Sequence, residues 1–130
     1  MKGLDTPVLL ALLHDAPVAK DLLKSLRGEE IATTELNMFE LRTLASGGSR
    51  AQRESRETAL VRLRRRITVL PITPEAVAET GRFLRARGRP SDYQPLVWGA
   101  LSAAGCGEWI TTKPFAPPKG ALPFKVKILQ

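Results

Sequence analysis

Five short apolar runs, at residues 3–4, 30–33, 67–70, 109–111 and 124–129, are separated by stretches whose apolar positions recur at helical spacing. This alternation constrains the fold more than any other feature, because a strand can reach a parallel neighbour only through a crossover long enough to carry a helix. It predicts an α/β fold with a parallel sheet between two helical layers. The first predicted helix is capped by Asp5 or Thr6, has Pro7 in its first turn and carries the stripe Val8, Leu9, Leu12, Leu13; the others span about 17–27, 34–45, 49–66, 74–87 and 91–104, with Gly28, Gly47, Gly48 and Gly88 closing them, and Thr73 capping the fifth. Residues 113–123 hold four prolines and read as a loop. The last strand alternates Lys125 and Lys127 with apolar residues, which suits a sheet edge.

A chain of 130 residues with 43% hydrophobic and 25% charged residues supports one core, so a single domain over residues 1–130 is expected. No apolar run nears the roughly 18 residues of a membrane span, and the first residues lack a signal-peptide profile, which points to a cytoplasmic protein with no membrane partner. One cysteine, Cys106, and one histidine, His14, exclude an intrachain disulfide, a multi-thiolate zinc site and a multi-histidine centre. Cys106 reads as a small core residue, and His14 as a dipole partner at a helix C-terminus. Any metal must therefore be held by carboxylates. The net charge of +7 favours a polyanionic partner.

In a parallel α/β sheet, ligands gather beyond the carboxyl ends of the strands, where strand order reverses. Asp5 follows the first strand, where it can also cap a helix. On the third helix, Leu36, Phe39, Glu40, Thr43 and Leu44 follow i, i+3, i+4, i+7, i+8 spacing and put Glu40 on the predicted inward face. A carboxylate there needs an ion-pair partner or a bound cation. Glu35, one turn earlier, needs only the helix dipole. Asp92 stands one turn before the stripe Leu96, Val97, Ala100, Leu101, Ala104, where it too can cap. Three carboxylates at one sheet edge would repel one another unless a divalent cation neutralised them.

Taken in order, these segments resemble a PIN-domain ribonuclease of the VapC toxin type. Gly3-Leu4-Asp5-Thr6 is similar to the family's opening strand, and Ile31-Ala32-Thr33-Thr34 through Phe39-Glu40-Leu41 to its second strand and Glu-Leu helix. Asp92, Leu96-Val97, Ala100-Leu101, Gly105 and Trp109-Ile110-Thr111-Thr112 with Phe115 resemble its closing segment. The resemblance implies a three-layer α/β/α sandwich with a five-stranded parallel sheet and an endoribonuclease dependent on Mg2+ or Mn2+. It also implies an antitoxin that blocks the site and a homodimer drawn from the helices at residues 16–27 and 34–45. Asp5, Glu40 and Asp92 would be the metal-binding acids, with the hydroxyls of Thr6 and Thr111 orienting water or a carboxylate. The family commonly carries a fourth Asp or Asn where this chain has Lys113, in Thr111-Thr112-Lys113-Pro114-Phe115. A lysine there removes a ligand and adds a charge that weakens ion binding or contacts the scissile phosphate.

Basic residues concentrate at Arg62, Arg64, Arg65 and Arg66, with no acid close in sequence, and at Arg82, Arg85, Arg87 and Arg89. Arg85, Arg87 and Arg89 precede Asp92 and are candidate RNA phosphate contacts, together with Lys113. Earlier in the long helix Arg50 can pair with Glu54 and Arg53 with Glu57. Trp98 and Trp109 read as core residues, while Tyr93 can face the site. A catalytically degenerate PIN-like module that binds RNA or protein is the competing reading, because Lys113 replaces a ligand. A receiver-like phosphoacceptor domain is disfavoured, since no acid follows the third strand at Leu70.

Overall fold

A computed structural model of the chain describes residues 1–84, 93–113 and 122–130. Among them run β1 (Lys2–Leu4), α1 (Thr6–Leu13), α2 (Pro17–Ser25), β2 (Ile31–Thr34), α3 (Glu35–Leu44) and α4 (Arg50–Arg66). These are followed by β3 (Thr68–Leu70), α5 (Pro74–Thr80), α6 (Gln94–Ala103), β4 (Glu108–Thr111) and β5 (Lys125–Ile128). The five strands form one sheet in the order β3-β2-β1-β4-β5, and every pairing is parallel. The chain fills one side of β1 first and then returns to the other, so the reversal of strand order falls between β1 and β4. That is where the sequence places Asp5.

Strand residues alternate between two cores, as the period of two requires. Leu4, Ile31 and Ile110 face a cluster with Val8 and Leu9 of α1, Leu22 of α2, Met38 and Leu41 of α3 and Leu60 of α4. Ala32 and Trp109 face the other way, onto Phe83 and onto Val97, Trp98 and Leu101 of α6. The result is the expected α/β/α sandwich, with α1 to α4 on one face and α5 and α6 on the other. Trp98 meets Trp109 edge-on at 5.6 Å and Phe83 at 6.1 Å, so both tryptophans are core residues as expected. β5 is an edge strand with Lys125 and Lys127 exposed, and Cys106 is buried.

Helix starts follow their caps. Asp5, Thr34, Ser49 and Thr73 each accept a backbone N–H from the first turn of α1, α3, α4 and α5, and Ser49 with Gln52 forms a full capping box. The C-terminus of α5 departs from expectation: the helix stops at Thr80 rather than near 87, and a turn over residues 81–84 carries Phe83 into the core against Trp98. Burying that ring outweighs the helical propensity of the segment. Gly88 and the predicted start of α6 at 91–92 lie outside the described residues. α2 ends at Ser25, and the chain turns through Gly28 at φ 83°.

Helix α6 approaches its neighbours closely at a glycine. A Cβ on Gly99 would meet the backbone oxygen of Ala76 and stand 2.8 Å from the Thr80 hydroxyl, whereas one on Gly3 would meet only the rotatable methyls of Leu101. Gly99→Ala is therefore expected to destabilise the fold by about 1–3 kcal/mol, and Gly3→Ala by less, because a side chain can yield where backbone cannot. Urea unfolding of both variants checks this; equal midpoints would contradict it.

Candidate active site

The end of β1 delivers Asp5 to the carboxyl edge of the sheet, and its backbone N–H donates to Ile110 O on β4 at 2.9 Å. The side chain is 2% exposed. Its two oxygens have separate partners. Oδ1 accepts from the Thr6 N–H at 2.9 Å and from Asn37 Nδ2 at 3.4 Å. Oδ2 accepts from the Thr111 hydroxyl at 2.7 Å and lies 4.0 Å from Lys113 Nζ. The capping reading and the site reading of Asp5 thus hold together, one on each oxygen.

Buried polar residues around this carboxylate extend the network. Asn37 Nδ2 donates to Thr6 Oγ1 at 3.0 Å, and the Thr34 hydroxyl donates to Asn37 Oδ1 at 2.6 Å. The Thr33 hydroxyl donates to Leu4 O at 2.9 Å and fastens β2 to β1 at the same edge. Thr111 closes the other side: its oxygen accepts the Lys113 N–H at 3.1 Å while its proton points at Asp5. Each of these groups is partnered, as burial demands. Asn37 escaped the sequence reading, although a polar residue three positions after the Thr34 cap, and one before the buried Met38, is a usable signal.

Burial pushes the Asp5 carboxyl above its ordinary value, and repulsion from Glu40 acts in the same direction. The Thr111 hydrogen bond, the Lys113 charge and the Thr6 amide oppose it, in that order. Glu40 does not lie on a buried stripe, contrary to the expectation for its helix. The inward face of α3 is Asn37, Met38 and Leu41, followed by Ala45; Phe39 is 72% and Leu44 58% exposed, and Glu40 is half-buried at the boundary. The phase set by the Thr34 cap turns Phe39 and Leu44 outward, where they line a groove of about 330 Å³ with Leu36, Glu40, Thr43 and Tyr93.

Asp92, Arg85, Arg87 and Arg89 lie outside the described residues. Among the described residues no group of three His, Cys, Asp or Glu could hold a metal ion. The Glu40 charge acts on the buried Asp5 carboxyl, and carboxylate oxygens are the donors that suit a hard divalent cation. The basic run of α4 is less free than its sequence implied. Arg64 reaches Glu35 of α3 at 3.2 Å, so Glu35 has an ion pair besides the helix dipole. Arg50 pairs with Glu54 as expected, but Glu57 takes Arg42 of α3 at 2.7 Å rather than Arg53.

The family model described as PIN domain matches residues 3–101. No curated protein matches the chain. Among solved structures, VapBC2 from Rickettsia felis bound to a DNA fragment from its promoter superposes with a TM-score of 0.77 at 15% identity, over 99% of this chain and 98% of the other. VapBC-5 from Mycobacterium tuberculosis, of a toxin-antitoxin family, gives 0.66 at 22%, covering 98% of each chain. VapC20 from the same organism, described as a sarcin-ricin loop cleaving toxin, gives 0.63 at 19%, over 84% of this chain and 87% of that one. At these identities the likeness is one of fold.

The direction of the Asp5 shift has a consequence for stability. A carboxyl whose folded value is raised favours folding in its neutral form; that stability is full below the unfolded value, near 4, and is lost as pH rises through the folded value. Asp5→Asn, which keeps an oxygen for the Thr6 and Asn37 donors, is thus expected to melt several degrees above the parent in EDTA at pH 7. The gap should close as pH falls below about 4. Melting curves across that range check it, and a variant less stable at pH 7 would contradict it.

Proposed function

Because the chain belongs to the PIN-domain family, we propose that it is an endoribonuclease dependent on Mg2+ or Mn2+ and the toxin of a toxin-antitoxin pair. The observation that carries this reading is the buried Asp5 carboxylate at the reversal point of the sheet, with Glu40 as its like-charged neighbour. The sarcin-ricin loop cleaving activity named for VapC20 supports RNA as the substrate, and the VapBC assemblies support an antitoxin as the partner.

Asp5, Glu40 and Asp92 would hold the cation, which when bound supplies an acidified water and neutralises phosphate charge. The remaining work belongs to the chain itself. Asn37 and the Thr6 N–H fix Oδ1, and the Thr111 hydroxyl fixes Oδ2, so Asp5 keeps one orientation before substrate arrives. Arg85, Arg87 and Arg89 would grip the RNA backbone and give binding that weakens steeply with salt. The apolar groove beside Glu40, with Phe39, Leu44 and Tyr93 exposed along it, suits an antitoxin that blocks the site, and α2 and α3 would supply a homodimer face. No described helix is long and apolar enough to cross a membrane. An RNA substrate would place the protein in the cytoplasm.

A second reading, a binding-only protein, is favoured by one observation: a lysine stands at Asp5 where the family commonly carries a fourth acid. Cleavage of RNA in Mg2+ or Mn2+ decides between them. The nuclease reading expects activity that disappears in EDTA, in Asp5→Asn and in Glu40→Gln, and falls about 10- to 100-fold in Thr111→Val, which removes the hydroxyl steadying Asp5. Metal-independent RNA binding without cleavage by a folded protein would support the second.

A further inference from the structure

Lys113 stands beside the buried carboxylate of Asp5. Its backbone N–H donates to Thr111 Oγ1, the same oxygen whose proton goes to Asp5 Oδ2, so the root of the lysine is pinned to the carboxylate it faces. Its ammonium lies 4.0 Å from Oδ2, beyond a hydrogen bond but close for two opposite charges when one is nearly sealed from water. Among the described residues it is the cation paired with Asp5. The lysine side chain is 36% exposed against 2% for Asp5, so its flexible stem can leave for solvent while the carboxylate cannot.

We propose that Lys113 is a tethered counter-cation for Asp5, which neutralises the carboxylate in the metal-free protein and competes with a divalent cation for Oδ2. This deepens the nuclease reading and rests on it only for the identity of the competitor. Oδ1 already accepts from two donors, Thr6 and Asn37, whereas Oδ2 accepts from one, the Thr111 hydroxyl, and so keeps room for either cation. An ion arriving there must displace the ammonium, and removal of the ion lets the ammonium return. A buried carboxylate then never stands without a positive charge nearby, which would be costly. Metal loading is accordingly set by an exchange between a lysine and an ion, and is weaker than in a site that has no lysine.

The test compares the parent protein with Lys113→Met and Lys113→Gln, which remove the charge, and Lys113→Arg, which keeps it. Mn2+ binding is measured by calorimetry and melting temperature in EDTA. Both neutral variants are expected to bind Mn2+ about tenfold more tightly and to melt several degrees lower without metal, a modest effect because the lysine is partly in water. Arg should keep the parent's values. Unchanged or weaker Mn2+ binding in both neutral variants, or no Mn2+ binding by any of the four proteins, overturns the proposal. RNA cleavage by the same preparations separates the two claims. A parent that cleaves RNA beside neutral variants with unchanged affinity removes the counter-cation and leaves the nuclease. Tighter Mn2+ binding in neutral variants with no cleavage by any protein keeps the counter-cation and removes the nuclease.

Discussion

A single buried carboxylate organises the carboxyl edge of the sheet. Asp5 sits where β1 gives way to α1, between the neighbours β2 and β4, and the fold surrounds it with donors from three elements. Thr6 belongs to α1, Asn37 to α3 and Thr111 to β4, so the hydrogen bonds that satisfy Asp5 also tie together the parts of the chain that meet at the reversal point. Taking a carboxylate out of water is expensive, and only a complete set of partners makes it tolerable. The residues that hold Asp5 are thereby also those that fix the geometry of the site.

The two Asp5 oxygens divide the work. Oδ1 serves the fold as the cap of α1, where the partial positive charge of a helix N-terminus favours an anion. Oδ2 accepts from Thr111, faces Lys113, and is the oxygen at which the exchange of cations is proposed. This division explains how a group that costs stability by its burial is kept: the cap and the Asn37 bridge hold one oxygen, and the Thr111 hydroxyl holds the other where it faces Lys113. A site that stores unfavourable electrostatics until a ligand arrives is a common trade of stability for function.

Much of this was legible in the sequence because its signals are local. Periods of two and near four separated strands from helices, and the polar residue after each strand marked the working edge. Thr6 and Thr111 came only with the resemblance to the PIN-domain family, whereas Asp5 was found from these signals. The side from which Glu40 approaches was not. Its helix carries apolar residues all round, Leu36, Phe39 and Leu44 as well as Met38 and Leu41, so periodicity alone could not tell the buried stripe from the exposed one. Asn37 was missed for the complementary reason: Thr34 is its local partner, but the two partners that bring it into the site, Asp5 and Thr6, lie more than thirty residues away in the chain. The stop of α5 at Thr80 depended on Trp98 as the distant partner of Phe83, and the pairing of Arg64 with Glu35 on contact between two helices.

A cation held by Asp5 and Glu40 at the reversal point is the centre of the proposed function. The most direct measurement is the anomalous difference density of crystals soaked in Mn2+. A peak about 2 Å from Asp5 Oδ2 and from a Glu40 carboxylate oxygen, with the Lys113 ammonium withdrawn, is the predicted result. Crystals of the folded protein that show no peak there at saturating Mn2+, with Lys113 still against Asp5, would contradict it.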